Sequence, residues 1–364
     1  MGLLDYYRQF EDVDEEELNV ARRKRRRREK ELALQQVPDL DLSGTEWPEF
    51  PNSEVMNASI YTARGRVNGY PDRHARAVRR VLAERHGVEP ERIVLGNGVA
   101  ELLQAAALAL LSEGDELLMP WPSYPLYPLM AARAGARPVA VELSGLRGAV
   151  GERTRALVIC NPNDPTGAYL RAEEVAGLAG ELPEDTHVLV DEALVHFQDV
   201  EPLDAVLRLT DAFPKLVVFR TFSKIYGLSG LRAGYAVGST AATPLLDAIA
   251  PVLGVNALTQ SAIDHALKID GPEVERRRAS VLTERSRLLE ALQELPVDLA
   301  DSQANFVWLA AEGMSGLELA NRLAEHGVLV APGGPLGADD HIRVTIRNSG
   351  ATDRFLNALV EVLT

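Results

Sequence analysis

Residues 215–237 read KLVVFRTFSKIYGLSGLRAGYAV. The run opens as a strand: Leu216, Val217, Val218 and Phe219 form the short, continuous apolar block expected where a parallel sheet is covered on both faces. It then turns polar at Thr221-Phe222-Ser223-Lys224, places Arg232 eight residues after the lysine, and ends in a second strand signal, AGYAV, at 233–237. Two hydroxyls, an amine and a guanidinium thus follow a strand's carboxyl end, where open α/β sheets bind their ligands. A single lysine after a strand is usually a solvated surface residue. The weight of this one depends on what the neighbouring strands carry.

Upstream, apolar blocks at RIVL (92–95), DELLMP (115–120), RPVAVEL (137–143), ALVIC (156–160) and HVLVD (187–191) alternate with helical windows, including 72–87 and 99–112. That alternation predicts an α/β fold with a mostly parallel central sheet, right-handed crossovers and helices on both faces. After about residue 250 the pattern changes. A polar-rich helical stretch (roughly 259–294) precedes shorter strands at NFVWLA (305–310), VLVAP (328–332) and HIRVTI (341–346), with helices at 315–326 and 352–363. The expected division is an N-terminal arm (1–45), a large domain (46–254) and a smaller C-terminal α+β domain (255–364).

The carboxyl ends of these strands collect polar groups. Strand 92–95 runs into Gly96-Asn97-Gly98 and a helix start at Val99-Ala100, where free backbone N–H groups and the helix dipole suit a phosphate. Strand 156–160 ends in NPNDPTG (161–167), and strand 187–191 in Asp191-Glu192-Ala193. Taken singly, these are a tight turn, a turn-forming Asn/Pro cluster and a helix cap. Together, in one order and each at a strand end, they mark a site.

Composition narrows the function. The 364 residues are 46% hydrophobic and 25% charged, an ordinary globular profile. The net charge of −15 disfavours nucleic acid and anionic membranes as partners. Cys160 is the only cysteine, so no intrachain disulfide and no multi-cysteine metal site can form. The N-terminus lacks the basic and apolar regions of a secretory signal, and the apolar stretch at 102–111 is half a membrane span, so a cytoplasmic location is expected. The basic run RRKRRRR (22–28) follows an acidic run at 11–17. Residues 1–36 hold nine acids and nine bases, which reads as a neutral arm packing on a partner subunit.

GNGVAELL, PWPSYPLY, NPNDPTG, VDEALVHF, FRTFSKIYGLSGLRAGY, SQANFVWL and IRVTIR occur in this order from about residue 46 to the C-terminus. The chain resembles the fold-type-I pyridoxal-phosphate enzymes of the class I/II aminotransferases, and within them the histidinol-phosphate aminotransferase-like branch. The resemblance implies that Lys224 holds pyridoxal 5′-phosphate as a Schiff base and shuttles a proton. It implies that Asp191 faces the pyridine nitrogen and Tyr124 stacks on the ring. Gly98, Val99, Ala100, Thr221, Ser223 and Arg232 would hold the phosphate, helped by Tyr70 from the neighbouring subunit of a homodimer with shared sites. Arg343 would bind the substrate α-carboxylate, or a substrate phosphate in its place, and Asn163 is a second substrate-binding candidate.

Two positions depart from the family's pattern. Asp164 stands where Asn usually donates to the cofactor's phenolic oxygen, and Leu194 where Tyr usually does. GTEWPEFPN (44–52) replaces the usual NENPYG. The implied activity is transfer of an amino group between an amino acid or amine, histidinol phosphate among the candidates, and a 2-oxo acid. The alternative is a decarboxylase resembling the threonine-phosphate type. A regulator that binds DNA would need a whole winged-helix domain, which about 45 leading residues cannot supply.

Overall fold

A computed structural model describes Lys24 and residues 38–364. The runs at 11–17 and 22–28 lie outside the described residues, except for Lys24, an exposed helical position. Asp41–Thr364 form one compact unit.

Seven strands build the central sheet: β1 (Ile93–Gly96), β2 (Glu116–Pro120), β3 (Arg137–Val141), β4 (Thr154–Cys160), β5 (His187–Asp191), β6 (Leu216–Thr221) and β7 (Gly234–Val237). Their order is β1-β7-β6-β5-β4-β2-β3. The pairs β3–β2, β2–β4, β4–β5 and β5–β6 are parallel. The sheet is thus mostly parallel, as expected, but β7 runs antiparallel between β6 and β1. The reversal has a use. Register places Gly234, at the start of β7, beside Gly96 and Thr221, at the ends of β1 and β6. On the other side Cys160 pairs with Asp191, so the end of β4 joins the same edge.

The sheet is held by its burial. All residues of β4 to β7 but Arg155 and His187 are buried, and the one face of helix Val99–Leu110 that carries Leu102, Leu103, Ala106 and Ala107 packs onto Leu117, Met119, Val158 and Phe219. Each large apolar side chain buried this way contributes about 1.5–3 kcal/mol. A second sheet of four strands, β8 (Val297–Leu299), β9 (Phe306–Ala311), β10 (Ala331–Pro332) and β11 (His341–Thr345), has the order β10-β11-β9-β8 and is antiparallel.

Three elements differ from the sequence reading. The stretch 259–294 is two helices, Ala257–Ile269 and Gly271–Leu292, broken at Asp270. Pro272 sits in the first turn of the second helix, where its missing N–H is harmless. In one continuous helix its ring would collide with the carbonyl of Lys268. VLVAP (328–332) splits into Val328–Leu329 and Ala331–Pro332, and the Leu329 carbonyl accepts from the Leu42 amide at 2.7 Å. Helix Ser53–Arg66, capped by Asn52, had no sequence signal because it buries only Val55 and Ser59 and leaves Ile60 and Tyr61 exposed.

Candidate active site

The edge where β1, β4, β5 and β6 end opens into a cavity of about 590 Å³. Lys224, Asp191, Tyr124, Val99, Ala100, Asp164, Thr221, Ser223, Arg232 and Arg343 all border it. Residues separated by more than 240 positions are thereby brought together, and Gly98 lies directly beside them.

Lys224 is the key group. Its Nζ donates to Thr45 Oγ1, and burial lowers its pKa, opposed by the nearby carboxylates of Asp164 and Glu46. Its basicity is thus reduced toward the neutral amine that a nucleophile needs. Of the other described lysines, Lys24 is exposed, and Lys215 and Lys268 are surface partners of acids, Lys215 with Asp185 and Lys268 with Asp264.

Asp191 closes β5 with its carboxylate fixed from both ends: Tyr127 Oη donates to Oδ2 at 3.1 Å and the Ala193 amide to Oδ1 at 3.1 Å. Burial pushes its pKa up to about 6, against the pull of those two donors and of Lys224. A cationic partner is what such a carboxylate lacks.

Below it lies an anion cradle. Gly98 precedes the helix Val99–Leu110 with φ of +98°, a conformation side chains rarely adopt, and a Cβ there would come within 2.6 Å of Arg232 Nη2. Arg232 itself has φ of +50°, and its Nη1 donates to the Ser229 carbonyl at 3.1 Å. Gly234 lets β7 approach the helix start, where a Cβ would sit 2.8 Å from the Val99 nitrogen. Thr221 Oγ1 and Ser223 Oγ are 3.0 Å apart beside this point. A helix N-terminus, two hydroxyls and a guanidinium fit a phosphate group.

The opposite wall comes from distant segments. Arg343, on β11, donates from Nη1 to Asp164 Oδ1 at 2.5 Å and from Nη2 to the Ser43 carbonyl at 2.9 Å. Its guanidinium lies 5.4 Å from the Phe306 ring centre. Leu194 faces the cavity with no hydroxyl to offer.

One expected residue does not border this cavity, and Tyr70, expected to serve the neighbouring subunit's site, lies apart from it. Asn163 does not reach the cleft, because its Nδ2 donates to the Pro122 carbonyl and Thr166 Oγ1 while its Oδ1 accepts from Ser123 Oγ. Asn161 is likewise used up, clasping both the amide and the carbonyl of Leu170. Neither can stand in for the missing asparagine at 164. Tyr70 is exposed and borders a separate cavity of about 900 Å³ with Tyr61, Arg64 and Asp264.

Sequence reasoning passed over three contributors. Tyr127 orients Asp191, Thr45 meets Lys224, and Asn305 donates to the Thr45 carbonyl at 3.1 Å. Tyr127 and Asn305 stood inside quoted motifs, but only the fold shows what they touch. No metal-binding cluster and no helix long and apolar enough to cross a membrane occur among the described residues.

Comparison with known proteins agrees with this geometry. Residues 39–363 match the model of the family described as aminotransferase class I and II. An aromatic amino acid aminotransferase of Corynebacterium efficiens is 36% identical over 318 residues, covering 85% of this chain and 89% of that protein. Histidinol-phosphate aminotransferase 2 of Carboxydothermus hydrogenoformans is 35% identical, covering 92% and 93%. Among solved structures, the histidinol-phosphate aminotransferase of Sinorhizobium meliloti in complex with pyridoxal 5′-phosphate superposes with a TM-score of 0.79 at 26% identity, covering 90% and 91%. The relatives favour amino-group transfer over the decarboxylase alternative. The chain belongs to the class I and II aminotransferases and is a pyridoxal-phosphate-dependent enzyme that moves an amino group between an amino compound and a 2-oxo acid.

Proposed function

We propose that the amino donor is an amino acid with an apolar or aromatic side chain. The observation that carries this reading is the cavity wall of Tyr124, Pro125, Leu126, Leu129, Leu194 and Leu336. The cations bordering the cavity are Lys224, Arg232 and Arg343. Once Arg232 serves the cofactor and Arg343 a substrate carboxylate, none is left for a second anionic group on the substrate, and Glu46, which also borders the cavity, would repel one. Histidinol phosphate has no carboxylate, so its phosphate would have to take Arg343 in a cavity that the carboxylates of Glu46 and Asp164 also border, which makes it the weaker candidate.

The roles follow from position. Bound pyridoxal phosphate supplies a conjugated ring that takes up the electron pair left when the substrate's Cα proton departs. Lys224 would hold that group covalently and, once released, carry the Cα proton on its Nζ. Asp191 would keep the ring nitrogen protonated, because an anionic neighbour favours the charged form. Gly98, Val99, Ala100, Thr221, Ser223 and Arg232 would fix the phosphate, and Tyr124 would flank the ring. Arg343 would orient the substrate by its carboxylate, exposing Cα to Lys224.

The two sheets support a division into a large domain (46–254) and a small one (255–364). Exposed Tyr70, Tyr61 and Ile60 support a homodimer in which Tyr70 serves the partner's site. The acidic surface is compatible with the cytoplasm.

Mixing the holoenzyme singly with L-phenylalanine, L-aspartate and histidinol phosphate tests the reading. Loss of the yellow absorbance, with stoichiometric phenylpyruvate, is expected with phenylalanine. A response to histidinol phosphate or aspartate alone would overturn it.

A further inference from the structure

We propose that Asp164 is a specificity-determining residue whose carboxylate competes with the substrate's own carboxylate for Arg343. The proposal rests on the reading of Arg343 as the carboxylate site.

Three observations carry it. First, Arg343 is already engaged. Nη1 donates to Asp164 Oδ1 at 2.5 Å and Nη2 to the Ser43 carbonyl at 2.9 Å, while Phe306 lies against the guanidinium. Nε is buried without a hydrogen-bond partner. The paired donors that grip a carboxylate are Nη1 and Nη2, and one of them is taken by an anion. Second, the pair is shielded from water, with each side chain 11% exposed, so screening is weak and the attraction is strong. Third, Asp164 is held in place. It sits in a turn pinned by Asn161 to Leu170 and by Asn163 to Pro122, Ser123 and Thr166, and its own amide points at Cys160 Sγ. Its carboxylate has little room to retreat when a second anion arrives.

An incoming carboxylate must displace Asp164 from Nη1 or share the guanidinium with it. Displacement leaves a buried anion that has lost its hydrogen-bonded cation, and sharing sets two like charges a few ångströms apart. Both weaken carboxylate binding. Affinity then depends more on the rest of the substrate, which suits a cleft with an apolar wall. Asparagine at 164 would keep the shape, remove the charge and leave Nη1 at most a neutral acceptor that an incoming carboxylate can displace.

The test measures dissociation constants of acetate and 3-phenylpropanoate, unreactive carboxylates, from the absorbance change of the bound cofactor in the holoenzyme. Asp164→Asn should bind acetate about tenfold more tightly than wild type, the scale of one charge-assisted contact. Asp164→Ala should shift in the same direction, since it too removes the competing anion. Acetate binding in both variants equal to or weaker than wild type, with Arg343→Ala still abolishing it in the wild-type background, overturns the proposal and leaves the reading of Arg343 intact. Acetate binding unchanged by Arg343→Ala overturns both. A gain for acetate without a further gain from the phenyl group supports the proposal and contradicts the apolar-donor reading alone.

Discussion

On one wall of the cleft, Gly98, Asp191, Thr221 and Lys224 stand at or just beyond the ends of adjacent strands of one sheet, so register alone delivers them to a common edge. On the other wall, Thr45, Asp164 and Arg343 come from an N-terminal loop, a turn and a strand of the second sheet, and meet only through side-chain bonds. The first wall carries the residues that the resemblance implies, Leu194 apart. The second departs from that pattern at Asp164 and the 44–52 segment. A wall built by backbone register has little freedom to vary without losing the sheet. A wall built from converging side chains can change its selectivity one residue at a time.

If the first wall supplies the chemistry, its loss should be catastrophic and its distortion graded. Lys224→Ala should reduce turnover on the order of 10⁵–10⁶-fold, the scale of removing a covalent catalyst, with the cofactor retained only noncovalently. A steady-state assay and dialysis of the bound cofactor check both parts. Asp191→Asn comes next. Losing the ion pair to the ring nitrogen should weaken cofactor binding about ten- to a hundredfold and reduce turnover as well, measured by reconstitution of the cofactor-free chain.

Gly98→Ala should be milder. The new Cβ would crowd Arg232 Nη2 and impose about 1–3 kcal/mol of backbone strain, so cofactor affinity should fall while the KM for the amino donor stays within about twofold. A change confined to KM would show that the two walls are not separable.

The smallest effect is expected behind the first wall. There Arg220 is buried between Glu192 at 2.7 Å and Asp204 at 2.6 Å, and His86 bridges Asp204 to Tyr235. His196 packs edge-on against Tyr226 in the same region, and burial lowers its pKa to about 3. In the unfolded chain a histidine titrates near 6.5, so between these values the unfolded state binds more protons. The stability that His196 contributes is therefore complete above about pH 6.5 and lost as pH falls toward 3, at most about 1.4 kcal/mol per pH unit. His196→Phe should lose less stability than wild type between pH 7 and 5, read from thermal midpoints, with KM unchanged. Parallel losses would contradict a desolvated, neutral imidazole.

What the sequence revealed divides along the same line. The first wall was legible because strands leave apolar blocks of fixed length and their ends are marked by Gly, Asp, Ser and Lys. The direction of β7 was not legible, since GYAV reads alike in either orientation. The second wall was only partly legible. Arg343 and Asp164 stood in motifs 179 positions apart, and nothing local to either shows that they form a pair. Asn163 looked like a ligand because an exposed amide and a turn-locking amide share one sequence pattern. Tyr127 escaped notice because a buried tyrosine in an apolar helix reads as core, and its hydroxyl finds Asp191 only in three dimensions.

The most direct test of the account is to find the lysine that carries the cofactor. The whole chain contains five lysines, at 24, 30, 215, 224 and 268, so borohydride reduction of the holoenzyme followed by peptide mapping has few possible outcomes. The account predicts that the reduced adduct lies on Lys224 in the peptide containing TFSKIYGLSGLR. An adduct on Lys215 or Lys268, or on either N-terminal lysine, would contradict it.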